Sequence, residues 1–182
     1  MTKSVTGSFY LTETVQMTAA QANGTRNQAT MDLSAYVNVP TGQAIAIESV
    51  DFIIQRDGDF GGAVTLFLAG NGSVSTQLTD LNPGLNLIRA DGQSLVASSS
   101  ISIDAANNLS TAATDFYPDN FGPANLSEAF LVVNDTLYLT AGNDAAAVGA
   151  GNLFVTARVR CRVVKLSTKD WMAIAIQSTA EA

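Results

Sequence analysis

The sequence predicts an all-β protein, an antiparallel β-sandwich, because short segments of alternating apolar and polar residues recur between turn signals. Such alternation places every second side chain on one buried face of a strand. Turn dipeptides, among them Asn23-Gly24, Asn71-Gly72 and Asp91-Gly92, interrupt the segments at a spacing of roughly eight to twelve residues, which is typical of a sandwich or barrel. The chain has 182 residues, so we expect a single domain over 1–182.

The most distinctive segment runs from Leu153 to Leu166 and reads LFVTARVRCRVVKL. In an extended chain its apolar residues share one side, including Cys161, which we expect to be a small buried hydrophobe. Arg158, Arg160 and Arg162 share the other side. Because the chain as a whole is acidic, with a net charge of −7, we predict that these arginines lie at an assembly interface, where they face a neighbouring subunit, anionic lipid or genome.

A second long strand, Ala44 to Gln55, changes phase in its middle. Its first half carries Ile45 and Ile47 on one side, whereas the apolar residues of its second half fall on the other side. One extra residue near Glu48 would let both halves face the core, because a shift of one residue reverses every side chain of a strand. The sequence therefore predicts a β-bulge at this point.

Further strands are predicted wherever the alternation or an apolar run continues. The segment Glu128–Thr140 is either one strand or two strands joined at Asn134-Asp135, and Ala141–Gly151 is predicted as a flexible turn. The other predicted strands are a segment through Val5, Phe9, Leu11 and Val15, then Met31–Val39, Ala63–Ala69, Val74–Leu78, Leu85–Ala90 and Ser94–Ile103.

Residues 105–127 form a long predicted loop that breaks this rhythm, and connections of such length usually have a function. Phe116, Tyr117 and Phe121 stand beside prolines in this loop. Aromatic side chains are enriched at protein interfaces, so these three residues are predicted either to lie at an intersubunit contact or to fold back and close the end of the sandwich.

The tail, residues 167–182, is predicted as a short helix, since Ser167 followed by Asp170 can form an N-terminal cap. The run WMAIAI would also suit an edge strand. Trp171 belongs to an apolar patch that must be covered, either by this domain or by another copy. We include Trp171 among the predicted assembly-interface residues.

The sequence contains no histidine and one cysteine, and it lacks the common nucleophile, phosphate-binding and dinucleotide-binding motifs. We therefore predict a protein that is not an enzyme, with no cofactor, no metal and no small-molecule substrate. The turn with Asp57 and Asp59 is predicted as a hairpin turn, with a cation site as the alternative. A carboxylate pair drawn from these two residues, Asp115 and Asp119 would suit an acid-only hydrolase. Neither a signal peptide nor a membrane-spanning segment is predicted.

Eight or nine strands, a chain that starts with Met without a leader, a weakly charged surface and a long interstrand loop together resemble a viral coat subunit. More narrowly, the chain is similar in size and layout to the small single-jelly-roll major capsid proteins of tailless, membrane-containing icosahedral viruses of archaea and bacteria. This resemblance implies a jelly-roll capsid subunit in the virion, whose partners are other copies of itself and other virion proteins, and whose capsomers stand on a lipid-lined shell.

An alternative function also fits the predicted sandwich. The protein would then be a carbohydrate-binding or adhesive module of a phage fibre or cell-surface appendage. Phe116, Tyr117, Phe121 or Trp171 would provide a stacking platform for the glycan.

Overall fold

The computed structural model of the protein describes residues 3–58, 60, 64–112 and 130–180. These residues form two antiparallel five-stranded sheets and a C-terminal helix, α1 (Thr168–Ala180). The first sheet contains β1 (Lys3–Ser4), β2 (Phe9–Met17), β4 (Gln43–Arg56), β8 (Phe130–Val132) and β10 (Leu153–Lys165). The second sheet contains β3 (Arg26–Asp32), β5 (Gly72–Thr79), β6 (Leu95–Asp104), β7 (Leu109–Ala112) and β9 (Thr136–Asp144).

The strand order is that of a jelly roll. In the first sheet the order is β2, β10, β4 and β8, with β1 alongside the end of β10; in the second it is β3, β9, β5, β6 and β7. From β2 to β5 and from β8 to β10, strands that follow each other in the chain lie in opposite sheets, as in a double-sheet jelly roll. The predicted sandwich with a short C-terminal helix is thereby confirmed, and the short strands β1 and β7 add to the eight strands of the basic pattern.

The hydrophobic core lies between the sheets, and β10 runs along its centre. Val155, Ala157, Val159 and Cys161 of this strand are fully buried on the core side, as the alternation in the sequence predicts. Burial raises the pKa of the Cys161 thiol to about 12, with a smaller contribution from the charge of Glu48. Strands of both sheets supply the other large buried side chains, which include Met17, Ile45, Ile47, Leu78, Leu137 and Leu139, and Leu33 is buried directly after the end of β3.

The predicted β-bulge in β4 is confirmed. Ser49 pairs with Arg160 and Ile47 pairs with Cys161, so Glu48 has no partner of its own on β10. The extra residue lets both halves of β4 point their apolar side chains into the core, and it turns Glu48 towards the outer surface of the sheet.

Three predicted strands are wrong, and local hydrogen bonds explain two of them. The strand predicted over Met31–Val39 ends at Asp32, because the Asp32 carboxylate accepts the Ser34 N–H at 2.8 Å and starts a turn. Leu85–Ala90 is a loop beside the second sheet, held by the Gln77 side chain, which bonds both backbone groups of Ile88.

The third wrong strand, Ala63–Ala69, contains a single turn of 3-10 helix at Val64–Leu66. Phe67 and Leu68 are buried there without a continuous ladder, and Leu68 forms an isolated bridge with Val148. The turn predicted over Ala141–Gly151 begins late, because β9 extends to Asp144. Between β8 and β9 the chain leaves the sheet at Asn134-Asp135, which corresponds to the two-strand alternative. None of the described helical segments has the length and apolarity that crossing a membrane requires.

Candidate assembly surface

The outer surface of the first sheet carries a band of charge, which we call the arginine face and define by Arg158, Arg160, Arg162, Glu48 and Tyr10. The three arginines project from alternate positions of β10, as the sequence predicts. Tyr10 comes from the neighbouring strand β2, and Glu48 comes from the bulge in β4. Two strands thus add groups to the arginine row that the sequence of β10 does not contain.

Glu48 is the internal anionic partner of two of the arginines. Its Oε1 accepts a hydrogen bond from Arg162 Nη1 at 2.8 Å, and its Oε2 lies 3.0 Å from Arg160 Nε. The Ser8 hydroxyl lies 2.9 Å from both carboxylate oxygens. One carboxylate is therefore shared between two guanidinium groups, and this pair of arginines keeps an excess positive charge.

These contacts give Glu48 a lowered pKa. Partial burial raises the pKa, but the hydrogen bonds from Ser8 and Arg162 and the positive charges of Arg160 and Arg162 outweigh it. A carboxyl group whose pKa is lower in the folded protein stabilises the fold above its unfolded pKa.

We expect the stability contributed by Glu48 to be complete above about pH 4.5, the ordinary value, and to disappear as the pH falls through the lower folded value. Urea unfolding of wild type and Glu48→Gln between pH 3 and pH 6 measures this contribution to the free energy of unfolding. Only wild type should lose it as the pH falls, because Glu48→Gln has no carboxylate at this position.

Arg158 is held differently from the other two arginines. Its guanidinium carbon lies 5.1 Å from the centre of the Tyr10 ring, within the range of a cation–π contact. Asp51 stands opposite Arg158 in the ladder with β4. In the described part of the chain, however, Arg158 makes no ion pair within 4.0 Å. Its charge is consequently available to an external anion.

Helix α1 covers the outer surface beside the arginine face. Ser167 Oγ accepts the Asp170 N–H at 3.2 Å, which confirms the predicted cap. Trp171, Ile174 and Ala175 pack on a small apolar cluster of the first sheet that contains Ala44, Ala46, Val133, Val164 and Leu166. The domain itself therefore covers much of Trp171, whereas Met172 and Ile176 remain 54% and 64% exposed.

Charge is divided unequally between the two sheets. The strands of the first sheet and α1 carry seven basic and four acidic residues, a net charge of +3. The strands of the second sheet carry one basic and three acidic residues, a net charge of −2. The sequence shows an excess of basic residues after Arg158, but the division by sheet follows only from the topology.

Several predicted site residues lie outside the part of the chain that the structure describes. These are Phe116, Tyr117, Phe121, Asp59, Asp115 and Asp119. Asp57 is described, and its carboxylate accepts a hydrogen bond from the Asn152 side chain at 3.3 Å. Within the described ranges, no group of three or more His, Cys, Asp or Glu side chains is placed to hold a metal ion.

Sequence reasoning missed the roles of Glu48 and Tyr10. Alternation alone would have placed Tyr10 on the solvent side of its strand, but the pairing of β2 with β10 could not be read from it. The bulge was predictable, yet the direction in which Glu48 points depends on that bulge being formed against β10.

No family model matches the chain, and no curated protein does. Among solved structures, the chain is similar to VP1 of Merkel cell polyomavirus in complex with 3'-sialyllactosamine, at 10% identity and a TM-score of 0.48 over 91% of this chain and 98% of that chain. It is also similar to VP1 of chimpanzee polyomavirus, at 9% identity and a TM-score of 0.47 over 91% and 99%. The unassembled VP1 pentamer of KI polyomavirus gives 10% identity and a TM-score of 0.40 over 91% and 98%. The strand order of the two sheets is itself that of a jelly roll.

Proposed function

We propose that the protein is a structural virion protein, a capsid subunit that assembles into a shell through contacts between copies. The jelly roll occurs in capsid proteins but also in lectin domains and cupins, so the architecture alone does not select this function. The observation that carries the proposal is the opposite net charge of the two sheets, +3 against −2. A surface that attracts the opposite side of an identical molecule favours self-association.

Contact between the first sheet of one copy and the second sheet of the next is heterologous, because different surfaces meet. Heterologous contacts generate rings when the rotation between neighbours closes. Arg158 would meet an acid of the neighbouring copy, and the exposed Asp32 on the second sheet is a suitable acid. The acid of the neighbouring copy would neutralise positive charge of the arginine face that Glu48 does not neutralise.

The proposed capsid function also implies a location, partners and further interface residues. The protein would act in the virion, without catalysis, and its partners would be copies of itself and other virion proteins. Anionic lipid or genome remains the alternative partner for the arginine face, as expected for the capsid proteins of tailless, membrane-containing viruses. Phe116, Tyr117, Phe121 and Trp171 stay predicted interface residues, although the packing of Trp171 on its own sheet makes Met172 the better anchor on α1.

The substitution Arg158→Glu tests the proposal with least damage to the subunit. Arg158→Glu places a carboxylate opposite Asp51 but breaks no ion pair among the described residues. Arg160→Glu would break the 3.0 Å ion pair with Glu48 and place a second carboxylate beside it. We expect the variant to stay folded and to lose particle formation, measured by light scattering after size exclusion and by electron microscopy. Added salt should weaken wild-type assembly, since exposed charges are screened beyond about 8 Å at physiological ionic strength.

Arg89→Glu is the matched control. It makes the same charge change on a side chain that is 88% exposed in the loop beside the second sheet, where it pairs with the exposed Asp91. Because the change leaves the first sheet positive and adds negative charge beside the second sheet, we expect this variant to assemble at least as well as wild type. Normal particles from Arg158→Glu, or a wild-type protein that stays monomeric at every salt concentration, would contradict the proposal.

A further inference from the structure

One edge of the first sheet is open in the described part of the chain, where β2 pairs with β10 and no strand follows on its other side. Val163 of β10 points its backbone groups to this side, since its C=O accepts the Val5 N–H at 2.8 Å. Backbone groups alternate in direction along an antiparallel strand, so every second residue of β2 points its N–H and C=O away from β10. These residues are Tyr10, Thr12, Thr14 and Gln16, whose side chains are all exposed.

A long open edge is a template for pairing with another strand. The close approach of the Thr14 and Thr156 hydroxyls, 2.8 Å apart, fits the narrow, non-hydrogen-bonded type of pair and supports this assignment of directions. In this fold, β2 is therefore a place where a second copy could add by strand pairing rather than by contact of sheet surfaces.

Glu13 breaks the apolar row of β2 in its middle. The core side of this strand reads Phe9, Leu11, Glu13, Val15 and Met17, so a carboxylate stands where alternation calls for an apolar side chain. The side chain is half-buried, and its Oε1 accepts the Thr14 N–H at 3.1 Å. That N–H is one of the groups that point out of the open edge, so the Glu13 side chain bends round the edge to reach it.

We propose that Glu13 guards the edge of β2 against pairing with β2 of a second copy. The carboxylate occupies an N–H that an added strand would need, and it places a negative charge that an added strand would have to desolvate. Inward-pointing charges on edge strands are a known means of preventing edge pairing. In a two-fold arrangement centred here, two Glu13 carboxylates would also face each other. The inference does not depend on the proposed capsid function.

Glu13→Val tests the guard, with Thr12→Val as the matched control. Both substitutions place valine on β2, but Thr12 lies on the outer side and makes no contact with the Thr14 N–H. We expect the Glu13→Val protein to have at least twice the solution mass of the Thr12→Val protein at equal concentration, by analytical ultracentrifugation. Both variants are made in the Arg158→Glu background, which removes the proposed assembly contact beside Thr12, so the difference in mass reports edge pairing alone. Equal masses would overturn the proposal.

Glu13→Ala tests the hydrogen bond separately, by amide hydrogen exchange at a concentration where the variant has the wild-type mass. We expect the Thr14 amide to exchange about tenfold faster than in wild type, which corresponds to the loss of one charge-assisted hydrogen bond. The amides of Leu11 and Val15, which face β10, should be unchanged. An unaltered exchange rate of the Thr14 amide would show that the Glu13 carboxylate does not bind this N–H, and it would contradict the proposal.

Discussion

Deletion of Glu48 is expected to close the bulge and leave the protein folded. Ile47 and Ser49 pair with the consecutive residues Cys161 and Arg160, so the strand without Glu48 can form a regular ladder with β10. In the shortened strand the apolar side chains of both halves still alternate on the core face, because no residue changes phase. The deletion thus removes the bulge together with the carboxylate, whereas Glu48→Ala removes the carboxylate alone.

Circular dichroism and thermal unfolding compare the two variants. Glu48→Ala keeps the bulge and loses only the contacts with Ser8, Arg160 and Arg162, so it should show a cooperative transition at a lower temperature than wild type. The deletion variant should also show a cooperative transition, because its core side chains keep their positions. A deletion variant that does not fold would mean that the bulge itself is required.

The substitution Trp171→Ala is expected to lower the free energy of unfolding by about 3 kcal/mol, the size found for truncating a large buried aromatic side chain. The indole packs on the outer apolar cluster around Ala44, Ala46 and Val164, together with Leu131 of β8 and with Ile174 and Ala175 of α1. Exposing this cluster should also promote aggregation. Urea unfolding monitored by circular dichroism gives the difference.

Met172→Ala is the matched control on the same helix. Because Met172 is 54% exposed and lies outside this cluster, its truncation should change the free energy of unfolding by less than about 0.5 kcal/mol. If both variants are destabilised equally, the packing of Trp171 on the sheet does not account for the stability that α1 contributes.

The sequence was sufficient to predict features that depend on local pattern. The two faces of β10, the bulge at Glu48 and the cap at Ser167 each follow from residues that are neighbours along the chain. The class of fold follows in the same way, because it needs only the number and spacing of strands. These predictions succeeded because the alternation of side chains is fixed by the pleat of the strand itself.

Features that depend on distant contacts could not be predicted. Val74–Leu78 and Leu85–Ala90 look alike as apolar segments, but only the first joins a ladder, and the second is held by the side chain of Gln77. The carboxylate that binds Arg160 and Arg162 is more than a hundred residues away in sequence, since Glu48 to Arg162 is a separation of 114. The pairing of β4 with β10 brings Glu48 close to Arg160 and Arg162, and no local sequence pattern predicts which strands pair.

The burial of Cys161 determines what kind of bond can join copies of this protein. Cys161 is the only cysteine of the chain, its side chain is inaccessible, and the thiol is almost wholly protonated at neutral pH, whereas disulfide exchange requires an exposed thiolate. Folded copies therefore cannot be cross-linked covalently through sulfur. Any assembly of folded copies is therefore held together without disulfides, and it does not depend on the redox state of the surroundings through this thiol.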